Sequence, residues 1–151
     1  MNMNLKPSHL AAIVGVYDPD ANTAGGTTFP ATYVDMADFG SLMAIIMAGD
    51  LGSSATINAK LVQATSAAGA GSKDIPGKAI TALTAGGTDS NKQAVINLHE
   101  AELDVAGGFR FVACTITVGV STSDSAGLLI GMHPKKNIAS EYDIAAVKQI
   151  V

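Results

Sequence analysis

Three histidines and one cysteine are the side chains of this sequence that could support nucleophilic catalysis. They are His9, His99, His133 and Cys114. Such chemistry needs a Ser or Cys beside a His that a third group orients. His9 lies in a polar terminal segment, His133 precedes a proline, and Cys114 lies mid-strand, where a thiol is normally an inert small hydrophobe. The sequence contains no GxSxG pattern, and the acidic residues of 100–104 fit a solvated turn. We therefore predict that the chain is not an enzyme.

Acidic residues and paired glycines are the other candidates, for metal and phosphate binding respectively. Asp18, Asp20 and Asn22 have the first three spacings of an EF-hand loop, but Thr23 replaces its glycine and Phe29 its final glutamate. A turn capped by the Asx side chains explains these residues better. There is no CxxC pair, and none of the glycine pairs has a dinucleotide-binding or Walker A pattern. We predict no metal and no cofactor.

The composition is poor in charge. Hydrophobic residues make up 48% of the 151 residues and charged residues 15%, whereas a typical soluble domain has about 25% charged residues. A subunit that is permanently part of an assembly covers some of its surface and needs fewer charged residues there. The low fraction of charged residues therefore predicts such a subunit. The alternative is a small Ala/Gly/Thr-rich domain with a mildly polar surface.

Charge and aromatic content also exclude some partners. The net charge is −4, and the basic residues are dispersed apart from the pair Lys135 and Lys136, so we predict no nucleic-acid partner. Trp is absent and aromatics make up 5%, which disfavours a sugar-binding platform. A single cysteine allows no intramolecular disulfide and suits a reducing compartment. Because neither a signal peptide nor an apolar run of membrane-spanning length is visible, we predict a soluble protein, no membrane contact and synthesis in the cytoplasm.

Short apolar runs alternate with Gly/Ser/Thr/Asp clusters at intervals of roughly 12 residues. This spacing predicts an all-β fold: an antiparallel β-sandwich, jelly-roll-like, with seven to nine short strands. We predict an extended, flexible N-terminal arm over 1–10, the sandwich domain over 11–139 and a C-terminal docking tail over 140–151. Asp18-Pro19-Asp20 and Pro76-Gly77 are predicted turns. The strand candidates are 12–17, 33–39, 41–48, 55–65, the segment after Pro76-Gly77, 93–99, 109–120 and 128–132.

One strand candidate is apolar at nearly every position. Residues 41–48 read SLMAIIMA, and this run indicates a strand that is covered on both faces or lies at a subunit contact. Met36, Met43 and Met47 indicate adaptable packing, in the core by default and otherwise at an interface.

Four segments together resemble a family. They are FGSL at 39–42, INAKLVQAT at 57–65, GGFRFV at 107–112 and LLIGMHP at 128–134. Over roughly residues 35–140 the chain is similar to small structural proteins of tailed bacteriophages and gene-transfer-agent-like particles, typically encoded near the major capsid protein. It departs from their pattern after Pro134, where Lys135 and Lys136 stand in place of Arg-Tyr.

The resemblance implies a capsid decoration (cement) protein of a tailed phage, located on the capsid surface of the virion and made in the host bacterial cytoplasm. Its expected partners are the major capsid protein and itself, as a trimer or another symmetric homo-oligomer. The alternatives are a head-spike or fibre base, a tail or connector subunit, and a free ligand-binding sandwich module. The predicted capsid or self interface uses the arm, the tail and the residues after the last strand, namely Asn2, Leu5, Pro7, His9, His133, Lys135, Lys136 and Tyr142.

Overall fold

The protein folds into two antiparallel sheets. The structure, a computed structural model, describes residues 4–151, so Asn2 lies outside the described residues. The strands are β1 (Ala11–Asn22), β2 (Gly25–Asp35), β3 (Phe39–Ala48), β4 (Thr56–Ala64), β5 (Lys73–Ala79), β6 (Leu83–Thr84), β7 (Gln93–His99), β8 (Phe111–Gly119) and β9 (Ser123–Pro134). Short 3-10 helices cover Pro7–His9, Ala85–Gly87, Glu100–Glu102 and Ala139–Tyr142.

The strand pairing is nested. Sheet A has the order β1-β9-β3-β7, and sheet B has the order β2-β8-β4-β5, with the two-residue β6 paired to β4. The first strand therefore pairs with the last, the second with the eighth, and the third with the seventh. This nested antiparallel order is that of a double-sheet jelly roll. The prediction of an all-β, jelly-roll-like sandwich with seven to nine strands is confirmed.

The core lies between the sheets because the strand sequences alternate with period two. On β8 the side chains of Val112, Cys114, Ile116 and Val118 are buried, as the alternation in 109–120 predicts. They face sheet A, where the inward side chains of β3 are also fully buried. β4 contributes a third buried set. The inward residues of β3 and β4 are Leu42, Ala44, Ile46, Ala48, Ile57, Ala59 and Leu61.

The predicted turn at Asp18-Pro19-Asp20 is wrong. β1 continues to Asn22, with a shift in register between Tyr17 and Asp20. Proline has no N–H, but β1 is an edge strand, where an irregularity tolerates the missing donor. The Asn22 amide holds this irregularity together, because Nδ2 donates to the carbonyl of Asp20 at 3.1 Å and to that of Ser125 at 2.9 Å.

Two other boundaries differ from the sequence pattern. The strand predicted over 33–39 is divided between β2, which ends at Asp35, and β3, which begins at Phe39. The predicted turn at Pro76-Gly77 lies inside β5, in an irregularity of that strand between Asp74 and Ala79, opposite 60–62 of β4. β5 and β6 pair successively with one edge of β4, so the proline again lies in an edge strand, where it costs little.

Two glycines on β9 make room for aromatic rings in the core. An ideal Cβ on Gly131 would lie 2.7 Å from Cζ of Phe39, and one on Gly127 would lie 2.8 Å from Cζ of Phe29. Real Cβ atoms do not approach other carbons so closely, and close-packed interiors have little space to yield. β9 therefore needs glycine at both positions.

The substitution Gly131→Ala is expected to lower the free energy of unfolding by about 1–3 kcal/mol, the usual range for overpacking. Urea denaturation followed by far-UV circular dichroism measures this loss. Gly86→Ala is the matched control, because a Cβ there meets no atom within 4 Å. Equal stability of the two variants would show that the Phe39 ring moves aside freely.

Candidate functional site

The residues predicted at the interface gather at one end of sheet A. Ala11 at the start of β1 pairs with Met132 on β9, and Phe39 at the start of β3 pairs with Pro134. The chain therefore enters and leaves the sandwich at the same end. The helix Pro7–His9 contacts the helix Ala139–Tyr142 there. Leu5 is exposed in the segment before the first of these helices.

The C-terminal segment docks on its own sandwich. The Ile13 N–H donates to Oδ1 of Asp143 at 2.7 Å, and the Ile144 N–H donates to the Ile13 carbonyl at 3.0 Å. These bonds satisfy part of the free edge of β1. The Tyr142 ring packs edge-on against Phe39, with centroids 5.0 Å apart. Tyr142 is therefore engaged within the chain, and any interface that includes it must form around this contact.

His133 is bonded across the end of the sheet. Its Nδ1 lies 2.8 Å from Oγ of Ser41, and its backbone has a φ of 55°, uncommon for a residue other than glycine. A hydroxyl beside an imidazole is two-thirds of a catalytic triad. Within residues 4–151, however, no carboxylate is hydrogen-bonded to the other ring nitrogen to orient it. The contact therefore serves as a polar tie between β3 and β9.

The basic pair after β9 is engaged by acidic neighbours. Lys135 Nζ donates to a carboxylate oxygen of Glu100 and, at 3.1 Å, to the Met36 carbonyl. Lys136 Nζ lies 2.8 Å from Oδ1 of Asp38, and this hydrogen bond raises the pKa of Lys136. Both lysines fasten the segment after β9 to the turn before β3, and Lys135 also to Glu100, in solvent-exposed pairs that contribute little to stability.

The three acidic residues after β7 also have lysine partners. Glu100 pairs with Lys135, Glu102 lies 2.7 Å from Lys78, and Asp104 lies 2.6 Å from Lys73. The backbone N–H of residue 99, followed by Lys78, lowers the pKa of Glu102, and Lys73 lowers that of Asp104. Glu102 and Asp104 are therefore ionised at neutral pH and are unsuited to act as general acids.

Cys114 is fully buried on the inner face of β8. Burial raises the pKa of its thiol from 9.0 to about 12, because the thiolate would lose its hydration. The reactive thiolate is therefore negligible at neutral pH, and the side chain acts as part of the core.

The Cys114 thiol has a consequence at alkaline pH. Its folded-state pKa is raised, so stability is complete below about pH 9 and declines as the pH rises toward 12. At pH 11 the expected loss is about 2–3 kcal/mol, from about 1.4 kcal/mol per pH unit. The free energies of unfolding of wild type and Cys114→Ala are measured by urea denaturation at pH 8 and pH 11. The difference between the two proteins separates the effect of this thiol from that of other titrating groups. Equal losses of stability in the two proteins between pH 8 and pH 11 would contradict this prediction.

The outward face of sheet A is apolar along its two central strands. Met43, Ile45 and Met47 project outward from β3 and are partly exposed, while the residues between them are buried. On β9 the outward positions opposite them are also apolar and partly exposed, and β1 continues the surface with two further side chains. We call this surface face A; besides the β3 residues it consists of Ile13, Val16, Ala126, Leu128, Ile130 and Met132.

Face A has a polar border on β7. Gln93, Asn97 and His99 point outward there, with Val95 between them at 52% exposure. An apolar centre with a polar border is the usual anatomy of a protein interface. The apolar run 41–48 indicated this surface from the β3 side. The sequence analysis predicts 128–132 as a strand but does not assign its outward side chains to a surface. The available signal was that apolar residues occupy both the inward and the outward alternating positions of this segment.

The solvent-exposed part of the outward face of sheet B has the opposite character. Its other end carries the apolar residues Val62, Ala64 and Ala113, which are buried. Thr115 and Thr117 project from β8 beside Asn58 and Lys60 of β4. Thr28 of β2 joins them, its hydroxyl 3.0 Å from that of Thr115. We call this polar surface face B. The sandwich therefore has one apolar and one polar outer face, and this polarity distinguishes the side suited to a protein contact from the side suited to water.

Within residues 4–151, no group of three or more His, Cys, Asp or Glu side chains is close enough together to hold a metal ion. No helix in that range is both long and apolar enough to cross a membrane.

Fold and surface together define the class: a jelly-roll β-sandwich with one apolar outer face. No family model matches the sequence, and neither does any curated protein. Among solved structures, the chain is similar to a chain of Broad Bean Stain Virus, at 7% identity and a TM-score of 0.46 over 93% of this chain and 94% of that one.

Two structures of cowpea mosaic virus are similar at the same level. The naturally occurring empty particle (top component) has 9% identity and a TM-score of 0.45, over 88% of this chain and 90% of that one. The empty virus-like particle has 11% identity and a TM-score of 0.42, over 91% and 89%. At such identities and scores, no role is carried from those particles to this chain.

Proposed function

We propose that this chain is a non-enzymatic structural subunit of a virus particle, which works by packing face A against other subunits. The observation that carries the proposal is the contrast between face A, with its row of Met43, Ile45 and Met47, and the Thr-rich face B. A monomer that functions alone in water gains nothing from an apolar sheet face, and contiguous apolar surface usually marks an interaction site.

Within that role we propose a capsid decoration protein of a tailed phage. The sequence resemblance over roughly residues 35–140 supports this assignment, as does the low fraction of charged residues, 15%. The subunit would lie with face A against the major capsid protein and face B toward solvent. Copies would occupy a repeating lattice, on the surface of a virion assembled in the bacterial host.

The size of face A fits a contact that needs many copies or additional surfaces. Face A is three strands wide, at about 4.8 Å per strand, and its four outward rows are about 6.8 Å apart, which gives an area of roughly 300 Å² per subunit. Burial of that area contributes about 7 kcal/mol, and association costs about 4–15 kcal/mol. A single face-A contact is therefore weak, and a lattice of such contacts, or one reinforced at the termini, is stable.

The experiment uses particles of the source phage stripped of this protein. Purified full-length chain is added back, and its binding is measured by sedimentation together with the temperature at which the shells release DNA. Saturable binding with a fixed number of copies per capsid subunit, and a raised release temperature, is expected. Binding at a single vertex or at the tail would favour the spike-base or tail alternatives. A folded monomer that binds no particle would contradict the proposal.

A further inference from the structure

A groove lies at the end of face A remote from the termini. It has a volume of about 520 Å³ and runs between the distal part of β1 and the end of β3. Its apolar lining includes Pro19, Met47 and Ala126, and its polar lining includes Asp20 and Asp124. Met47 and Ala126 also belong to face A, so the groove is continuous with that surface.

The groove is acidic as well as apolar. Asp124 is exposed, and the Asp20 carboxylate accepts a hydrogen bond from the adjacent Ala21 N–H, at 2.7 Å. Neither carboxylate forms an ion pair with a cation in the part of the chain that the structure describes. An occupant with apolar side chains beside a positive charge would match both properties of this groove.

The C-terminal residues have that chemistry. After the turn in which the Val147 N–H donates to the Ile144 carbonyl at 2.9 Å, the chain continues with Lys148, then Ile150 and Val151. Ile150 is 50% exposed and Val151 fully exposed. The segment therefore presents apolar side chains and one cation to solvent, and it does not occupy the groove of its own chain.

We infer that residues 147–151 of one copy occupy the groove between β1 and β3 of a second copy. The tail is bonded at Ile13 and the groove lies at residues 19–21, so donor and acceptor sites are at opposite ends of β1. Such a head-to-tail contact closes into a ring when the rotation between copies allows it. The inference deepens the proposed function, since it identifies a contact between copies. The tail covers the end of face A at Met47 and Ala126 and leaves the rest of face A for the shell.

Cross-linking between two variants that each carry one introduced cysteine tests the contact directly. Ala126→Cys and Ile150→Cys proteins are mixed, oxidised and examined by non-reducing electrophoresis. A disulfide dimer that contains one copy of each is expected, formed at least tenfold faster than with Val105→Cys in place of Ile150→Cys. Val105 is 66% exposed and lies in another loop. Cys114 is buried and does not compete. Equal rates with the Val105 and Ile150 partners would overturn the inference.

A charge exchange tests the electrostatic part. Asp124→Lys and Lys148→Glu should each weaken self-association about fivefold at low salt, as measured by sedimentation velocity, and the double variant should recover the wild-type value. A chain that binds stripped particles but shows neither the cross-link nor the recovery overturns this inference alone. A chain that associates through its tail but ignores particles overturns the proposed function alone.

Discussion

Replacement of Ile45 by Lys is expected to weaken particle binding at least 100-fold while the sandwich stays folded. Ile45 lies at the middle of face A, paired with Leu128 on one side and Val95 on the other. The substitution removes an apolar contact and places an ammonium group in a surface that must lose water on binding. Either effect costs a few kcal/mol, and about 2.7 kcal/mol already corresponds to 100-fold in affinity.

The measurement is sedimentation of each variant with stripped particles over a range of concentrations. Thr117→Lys is the matched control, because it also adds a lysine at an outward strand position, on face B. We expect the control to bind as wild type. Both variants should unfold within about 1 kcal/mol of wild type, since each change lies on a surface exposed to solvent in the free chain.

The two lysine variants separate the possible orientations of the subunit. Loss of binding in Thr117→Lys with normal binding in Ile45→Lys would reverse the proposed orientation. Loss of particle binding in both variants would indicate that both outer faces of the subunit contact the particle. Normal binding in both would contradict any role for the sheet faces and would leave the termini as the contact.

Truncation of Tyr142 to Ala is expected to cost about 2–3 kcal/mol of stability. The ring packs on Phe39, itself 2% exposed, and joins the edge of the core. Removing a packed aromatic ring leaves a cavity and a freed segment. Without this anchor, the bonds from Asp143 and Ile144 to Ile13 lose their support, and part of the β1 edge is left to water.

Thermal unfolding measures the effect, and Tyr142→Phe provides the control. The phenylalanine retains the ring on Phe39, so its midpoint should stay within about 2 °C of wild type. The alanine variant should melt roughly 5–10 °C lower, from about 2–4 °C per kcal/mol for a domain of this size. If the alanine variant instead kept its stability and lost only self-association, Tyr142 would be an interface residue.

Strand type was readable in the sequence because alternation within one strand is a local property. The segments 55–65, 93–99 and 109–120 each contain the strand found there, and 41–48 lies within β3, which begins two residues earlier at Phe39. The turns predicted at Pro19 and Pro76 are wrong, because both prolines lie in edge strands. Whether a proline interrupts a strand depends on whether its missing N–H faces a partner, and that depends on strands distant in sequence.

The predicted interface residues show the same division. Lys135, Lys136 and Tyr142 are predicted at the interface because they lie after the last strand or in the tail. The fold supplies internal partners for them, in the turn before β3, at the start of β3 and in the 3-10 helix Glu100–Glu102, namely Met36, Asp38, Phe39 and Glu100. No local pattern encodes those contacts, which arise because β9 ends beside the start of β3.

The sequence by itself determined the fold class, the burial of Cys114 and the apolar character of both faces of β3, because each depends on the order of side chains along one segment. The tertiary structure alone decided that β3 lies beside β9, and that their outward side chains form one surface while threonines occupy the opposite face. Pairing between distant strands places these side chains together, and that placement turns separate apolar residues into a surface that can bind.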